Sequence, residues 1–178
     1  MAGVTIAAAM AMHIGVVGES VCSRATTRTA ERVGAAIARA GAVLFCGGRT
    51  GVMEAASRGA ARAGGDVVGV LPGFSRRDAN RWVTIPVVTG MDQARNVVLV
   101  RSCDAVIAVG GSYGTLSEIA LSLKLGVPIV GLRTWRLAQP SARPVPLQRG
   151  RDAEDAVRLA VRAARPRGAR RRARTWLS

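Results

Sequence analysis

The feature that most constrains this fold is the alternation of short apolar segments with longer segments of helical periodicity. The apolar segments, rich in Val, Ile and Leu, lie at residues 13–17, 42–46, 67–71, 84–88, 105–109 and 128–132. The helical patterns lie between and after them, at residues 27–40, 53–63, 91–101, 114–125 and 152–164. Strands that are apolar throughout are typical of parallel sheets covered by helices on both faces. The sequence therefore predicts a three-layer, doubly wound α/β sandwich with a mostly parallel sheet.

The ends of the chain differ from this alternating region. A chain of 178 residues fits one domain, which we place at residues 13–164. Residues 1–12 are apolar but carry no early basic residue, so we expect a flexible extension rather than a signal peptide. Residues 165–178 are expected to form a disordered basic tail, and residues 133–150 a loop. No segment reaches the ~18 apolar residues that a membrane span needs, so no membrane partner is expected.

The formal net charge of +15 raises the alternative of nucleic-acid binding. Lys124 is the only lysine among 26 basic residues, a skew typical of genome-wide codon bias rather than of a selected basic patch. The charge is also concentrated in the Arg-rich tail, and runs of like charge are usually solvated. Nucleic-acid binding through this tail is therefore kept as an alternative, but we do not expect nucleic acid as the main partner.

The three cysteines are Cys22, Cys46 and Cys103, which are widely spaced and contain no C-x-x-C pair. This pattern favours neither a disulfide framework nor a zinc site, so no metal is expected and a reducing cytoplasm fits. Free cysteines of this kind are commonly small buried hydrophobes.

Three glycine-rich segments follow three of the predicted strands and lead toward helices. They comprise Gly18, Glu19 and Ser20; Gly47, Gly48, Arg49, Thr50 and Gly51; and Gly110, Gly111, Ser112, Tyr113, Gly114 and Thr115. The carboxyl ends of parallel strands share one edge of the sheet, where ligands bind. Glycine allows close backbone approach, and free N–H groups at a helix start favour an anion. We therefore expect a phosphorylated ligand, although no segment matches a P-loop or a clean dinucleotide fingerprint.

Two charged residues near these segments are candidates for chemistry. Thr115 and Glu118 have the spacing of a capping box, in which the two side chains satisfy backbone donors at a helix start. Alternatively, Thr115 contacts a phosphate while Glu118 acts as a general base or stabilises charge. Arg95 begins another helical pattern and could clamp a phosphate with two parallel hydrogen bonds. Tyr113, the only tyrosine, could stack on a ring or simply pack.

Three stretches of this chain resemble one known family, over about residues 13–135. They are IGVVGES, CGGRTGVMEAASRGAARAGG and ARNVVLVRSCDAVIAVGGSYGTLSEIALSLKLGVPIVGL. The family was long labelled "possible lysine decarboxylase", and it includes the Lonely Guy cytokinin-activating phosphoribohydrolases and the molybdenum-cofactor carrier proteins. The resemblance implies a Rossmann-like domain, a homodimer or homotetramer, and a pocket for a phosphorylated nucleotide-like ligand.

Departures from the phosphoribohydrolase pattern place the chain closer to the carrier branch. The phosphoribohydrolases carry the signature P-G-G-x-G-T-x-x-E, and an Arg of the preceding helix works with its Glu. Glu118 matches that Glu, and Arg95 matches that Arg. Val109 replaces the Pro, Ser117 replaces a Glu, and Asn96 replaces a Lys. A lysine decarboxylase is not expected, because pyridoxal chemistry needs a Schiff-base lysine and Lys124 lies two turns away from the glycine-rich edge.

Three functions follow from these features. The first is a cytosolic carrier that binds a phosphorylated pterin or nucleotide, with no cofactor required and the molybdenum cofactor as bound cargo. The second is a phosphoribohydrolase that cleaves the N-glycosidic bond of nucleoside 5′-monophosphates, with Arg95 and Glu118 as the catalytic residues. The third is nucleic-acid binding through the basic tail.

Overall fold

The computed structural model describes residues 11–140 and 143–164, in which strands and helices alternate. In chain order they are β1 (His13–Gly18), α1 (Arg24–Arg39), β2 (Val43–Cys46), α2 (Val52–Arg62), β3 (Val67–Leu71), β4 (Ile85–Val88), α3 (Arg95–Ser102), β5 (Ala105–Val109), α4 (Tyr113–Leu125), β6 (Ile129–Leu132), β7 (Leu147–Arg149) and α5 (Ala153–Ala163). The predicted tail, and all of the predicted extension except residues 11 and 12, lie outside the described residues.

The strands form one parallel sheet in the order β4-β3-β2-β1-β5-β6-β7. The winding direction reverses between β1 and β5, whose last residues, Gly18 and Val109, are register partners. On its other side β1 pairs with β2, so the loops that follow β1, β2 and β5 are neighbours. This reversal is the switch point at which doubly wound sheets bind ligands. The sheet order therefore brings the three predicted glycine loops together at one edge.

Helices cover both faces of the sheet, which confirms the predicted three-layer Rossmann-like fold. Helices α1, α2 and α5 pack on one face and contribute to the apolar cluster that contains Val16. Helices α3 and α4 pack on the other face, in the cluster that contains Val17. Because successive residues of a strand point to opposite faces, a strand between two helical layers must be apolar throughout. All five residues of β3 and of β5 are buried accordingly.

Two glycines allow α1 and α2 to touch backbone to backbone. A Cβ atom added to Gly34 of α1 would lie 1.9 Å from the carbonyl oxygen of Ala56. A Cβ atom added to Gly59 of α2 would lie 1.9 Å from the carbonyl oxygen of Glu31. The contact is therefore reciprocal, and neither glycine position has space for a larger residue. It fixes α2, and with it the loop that precedes α2, relative to α1.

One strand was not predicted from the sequence. Residues 133–150 were expected to be a loop, but β7 lies within them and pairs with β6 in parallel. This strand is three residues long and buries only Leu147, so it has no apolar run to detect. Its position depends on long-range contacts, because the Arg149 guanidinium donates to the carbonyl oxygens of Thr134 and Trp135.

Element boundaries otherwise shift by a few residues from those predicted. Helix α1 begins earlier than expected because Ser23 caps it, accepting a hydrogen bond from the Thr26 N–H at 3.1 Å. Helix α3 begins at Arg95, after a 3₁₀ turn at Asp92–Ala94. The strand that contains Pro86 lies at the edge of the sheet, as predicted. Among the described residues, no helix is long and apolar enough to cross a membrane.

Candidate functional site

A polar cavity of about 330 Å³ lies at the edge where the three glycine loops meet. Its walls come from the loops after β1, β2 and β5, from the start of α4, and from the turn that leads into α3. The predicted residues that line it are Gly18, Ser20, Arg49, Thr50, Arg95, Ser112, Gly114, Thr115 and Glu118. The sheet topology thus brings residues more than 90 positions apart into one pocket.

Arg95 is the first residue of α3, and its side chain is buried in the wall of this cavity, with 9% of the residue exposed. The Nε and Nη1 atoms have no hydrogen-bond partner among the described residues. A Cβ atom at Gly47 would come within 2.7 Å of Arg95 Nη2, so a larger residue there would force the guanidinium to shift. Burial lowers the pKa of Arg95, although Glu118 opposes this effect. The cavity therefore contains an under-satisfied buried cation.

Glu118 lies on α4 and faces this cation. Its Oε1 atom is 3.6 Å from Arg95 Nη1, and only 7% of the residue is exposed. Burial raises the pKa of Glu118 to about 7, and the attraction of Arg95 offsets only part of that rise. A carboxyl group with a pKa near neutrality can exchange a proton at physiological pH, as a general acid or base must.

The capping interpretation of Glu118 is wrong. Helix α4 starts at Tyr113 rather than Gly114, so Ser112 is the N-cap and Thr115 is the third helical residue. Thr115 Oγ1 accepts a hydrogen bond from the Ser112 N–H at 3.3 Å. The capping partner of Thr115 is therefore three residues before it, and the Glu118 carboxylate is left to face the cavity. The sequence spacing could not distinguish these two registers.

The other predicted residues do not line the cavity; they are Glu19, Gly47, Gly48, Gly51, Gly110, Gly111 and Tyr113. Gly48, Gly51 and Gly110 have positive φ and make the sharp turns. Tyr113 is 83% exposed, and its ring centroid lies 5.9 Å from that of Trp135.

The β2–α2 loop is held by a residue of the β3–β4 connection. Asn80 Nδ2 donates to the carbonyl oxygens of Gly48 and Arg49, at 3.1 and 2.9 Å. The Asn80 N–H also donates to the Gly48 oxygen, and its Oδ1 atom accepts from the Trp82 N–H. This network fixes the backbone that carries the Arg49 side chain toward the cavity.

Several cavity residues were missed by the sequence analysis as site residues; they are Met53, Pro72, Asp92, Gln93 and Asn96. Asp92 and Gln93 belong to the 3₁₀ turn before α3, where Asp92 adopts a φ of 44°. Asn96 is 4% exposed, and its Oδ1 atom accepts no hydrogen bond from any residue that the structure describes. Asp92, Gln93 and Asn96 could have been identified from their position beside Arg95 in the sequence, because a residue at a helix start brings its neighbours to the same edge of the sheet.

The cysteines and acidic residues give no metal-binding arrangement in the described part of the chain. No group of three or more His, Cys, Asp or Glu side chains there could hold a metal ion. Cys46 lies at the end of β2 and is fully buried, where its thiol contacts Ser57 Oγ at 3.4 Å. Burial raises the pKa of the Cys46 thiol, so it is held in its neutral form.

A doubly wound parallel sheet whose strand-end loops enclose a polar pocket at the switch point defines a Rossmann-like α/β protein. A family model described as the SLOG cluster4 family matches residues 11–158. The chain belongs to this family. It is also 49% identical to an uncharacterised protein of Archaeoglobus fulgidus over 123 residues, which cover 68% of this chain and 80% of that protein.

Two solved structures of molybdenum-cofactor proteins are close to this fold. The molybdenum cofactor binding protein of Rippkaea orientalis is 34% identical and has a TM-score of 0.78, covering 85% of this chain and 96% of that one. The Moco carrier protein of Chlamydomonas reinhardtii is also 34% identical, with a TM-score of 0.76 and coverages of 86% and 97%. These similarities confirm the family suggested by the glycine-loop motifs.

Proposed function

We propose that the domain at residues 13–164 is a cytoplasmic binding protein for a small phosphorylated ligand of pterin or nucleotide type. The observation that carries this proposal is the buried Arg95 guanidinium in the wall of the cavity, whose Nε and Nη1 atoms make no hydrogen bond within the described part of the chain. Leaving donors of a buried charged group unsatisfied is costly, by about 1–3 kcal/mol or more. A bound anion would remove this cost, because a guanidinium matches the geometry of a phosphate.

The rest of the cavity wall supports an anion. Ser112, Gly114 and Thr115 bring the start of α4 to the cavity, where the positive end of the helix dipole favours negative charge. Arg49 adds a second, exposed cation at the mouth. The volume of about 330 Å³ falls at the small end of the range for ligand pockets. These features fit a compact phosphorylated molecule rather than a polymer.

The two structural relatives at 34% identity support a particular cargo. One is described as a molybdenum cofactor binding protein and the other as a Moco carrier protein. We therefore propose the molybdenum cofactor as the first cargo to test, held through its phosphate at Arg95 and the start of α4. No resident cofactor is needed for such a role. The protein would act by binding and releasing the cargo.

A second candidate function is hydrolysis of nucleoside 5′-monophosphates at the N-glycosidic bond. The observation that favours it is a carboxyl group with a pKa of about 7, held 3.6 Å from a cation in the same cavity. In this reaction Arg95 would hold the phosphate, while the Glu118 carboxylate would stabilise a positively charged sugar or activate water. The reaction would release a free base and ribose 5-phosphate.

We further propose that the protein is a homodimer or homotetramer. A groove with small and apolar side chains runs along the outer side of α3 and α4, lined in part by Ala94, Ala120 and Leu121. Val97 of α3 is 38% exposed nearby.

Nucleic-acid binding through residues 165–178 stays a prediction, because these residues lie outside those described. Heparin retention of the protein with and without the tail tests it.

The experiment uses the full chain. Mass spectrometry of the small molecules that co-purify with it identifies the cargo, and calorimetry then measures binding of AMP and of isopentenyl-AMP. Release of free base, lost in Glu118→Gln while binding persists, would establish the hydrolase and reject the carrier. Co-purified molybdopterin with no base release would establish the carrier. If no phosphorylated molecule co-purifies and neither nucleotide binds, both functions are rejected.

A further inference from the structure

Glu19 links all three glycine loops although it does not line the cavity. It follows Gly18 at the end of β1, and its carbonyl oxygen accepts a hydrogen bond from the Val52 N–H at the start of α2, at 3.0 Å. Its Oε2 atom accepts from the Gly111 N–H at 3.4 Å. A Cβ atom at Gly110 would come within 2.9 Å of Glu19 Oε1, so the carboxylate lies directly on the Gly110–Gly111 turn.

This turn is the place where an anion would be expected to bind. It follows β5 at the reversal of the sheet, and it precedes α4, whose first turn lines the cavity. Backbone N–H groups at this point of a doubly wound sheet are the usual donors to phosphate. Here the donor at Gly111 is already taken by a carboxylate of the protein itself. The residues on either side, Ser20 and Ser112, line the cavity, so the Glu19–Gly111 contact adjoins the ligand space.

We propose that Glu19 restricts the site to ligands with a single phosphate group and rejects diphosphates. The inference rests on the proposed function, because it assumes that a first phosphate binds at Arg95 and the start of α4. The Gly110–Gly111 turn leads directly into the start of α4, so a second phosphate on the same ligand could be placed against this turn. There it would meet an occupied N–H donor and a like charge in a partly buried position, both of which disfavour it.

A purely structural role for Glu19 makes a different prediction. If the carboxylate only braces the loops, its removal weakens the binding of every ligand to a similar degree. If it excludes a second phosphate, its removal raises diphosphate affinity selectively. The ratio of monophosphate to diphosphate affinity therefore separates the two roles.

The experiment measures binding of AMP and ADP by calorimetry, with orthophosphate and pyrophosphate as a ring-free pair. The proteins are the wild type, Glu19→Gln, Glu19→Ala and the control Glu54→Gln. Glutamine keeps an acceptor for the Gly111 N–H but removes the charge, whereas alanine removes both. Glu54 lies in the first turn of α2 and does not line the cavity, so its substitution makes the same charge change away from the turn.

In the wild type we expect the monophosphate of each pair to bind about tenfold more tightly than the diphosphate, a difference of ~1.4 kcal/mol. Glu19→Ala is expected to bring this ratio close to one by raising diphosphate affinity, Glu19→Gln to give an intermediate ratio, and Glu54→Gln to leave it unchanged. A wild type that binds both members of each pair equally would overturn the inference, as would a ratio that neither Glu19 variant changes. A wild type that binds none of the four anions, and with which no phosphorylated molecule co-purifies, would instead reject the proposed function itself.

Discussion

Arg95 and Glu118 oppose each other across the interface of α3 and α4, with 3.6 Å between Arg95 Nη1 and Glu118 Oε1 and, over residues 11–140 and 143–164, no hydrogen bond at Nη1. Both residues are buried, so each charge loses hydration that the other restores only in part. This incomplete compensation raises the pKa of Glu118 and lowers that of Arg95. The Arg95 guanidinium could therefore donate hydrogen bonds to an anion that enters the cavity.

The first prediction concerns the binding of phosphate by Arg95. Replacing Arg95 with alanine is expected to weaken binding of a phosphate monoester such as AMP by roughly 1.5–3 kcal/mol, the range for hydrogen bonds to charged groups. Calorimetry at one pH and salt concentration measures this change. Arg101→Ala is the matched control, because Arg101 lies on the same helix but is exposed and does not line the cavity. Equal losses in the two variants would show that net charge, rather than the buried guanidinium, governs affinity.

The second prediction concerns the pH dependence of stability. The folded-state pKa of Glu118 is about 7, above the 4.5 of an unperturbed glutamate, so the folded protein holds this proton longer than the unfolded chain. The contribution of Glu118 to stability is therefore complete below about pH 4.5 and is lost as the pH rises through 7. Glu118→Gln, which mimics the protonated form, should lack this loss, whose size is on the order of 3 kcal/mol.

Urea unfolding of the wild type and of Glu118→Gln between pH 5 and pH 8.5 tests this prediction. Other groups titrate in both proteins, so the difference between the two stability curves isolates Glu118. The curves should diverge steadily from about pH 5 and become parallel above about pH 8. Curves that stay parallel throughout would mean that Glu118 ionises in the folded protein as it does in the unfolded chain.

The site and the fold could be predicted from the sequence to different extents. The apolar strands and glycine loops were predictable because each feature is local, and the parallel order then brings the loops together. Glu118 could be proposed because it follows the third glycine loop, and Arg95 because it begins a helical pattern and matches the Arg of the family pattern. Asp92 was not found, because its 3₁₀ turn contains no glycine, and the sequence carries no signal of its positive φ of 44°. The contact of Glu19 with Gly111 spans 92 positions and leaves no local trace.

The third prediction concerns the bracing of the Arg49 loop by Asn80. Asn80→Ala removes the amide donor to the carbonyl oxygens of Gly48 and Arg49, and we expect a stability loss of about 1–2 kcal/mol. Asn80→Asp keeps the acceptor for the Trp82 N–H but sets a carboxylate against two carbonyl oxygens, so it should be at least as harmful. Hydrogen exchange should accelerate at residues 48–51 in both variants. Unchanged exchange there would show that the loop holds its shape without Asn80.

The fourth prediction concerns the backbone contact of α1 with α2. Alanine is a better helix former than glycine by about 1 kcal/mol, so Gly34→Ala in an unconstrained helix would stabilise the protein. Here the added Cβ would lie 1.9 Å from the Ala56 carbonyl oxygen, and the two helices must separate to admit it. We therefore expect a net destabilisation of roughly 1–3 kcal/mol, the usual cost of overpacking.

Gly114→Ala is the matched control for this steric argument. Gly114 also lies in a helix, but a Cβ atom there would approach nothing closer than Ser112 Oγ at 3.7 Å, an ordinary contact distance. Its thermal unfolding midpoint should stay level or rise, while that of Gly34→Ala falls. Both substitutions add the same methyl group to a helical glycine, and the steric argument assigns their opposite outcomes to the space around that group. A Gly34→Ala midpoint equal to that of Gly114→Ala would mean that α1 and α2 part easily, and that the position of the loop before α2 is set by Asn80 and Glu19 instead.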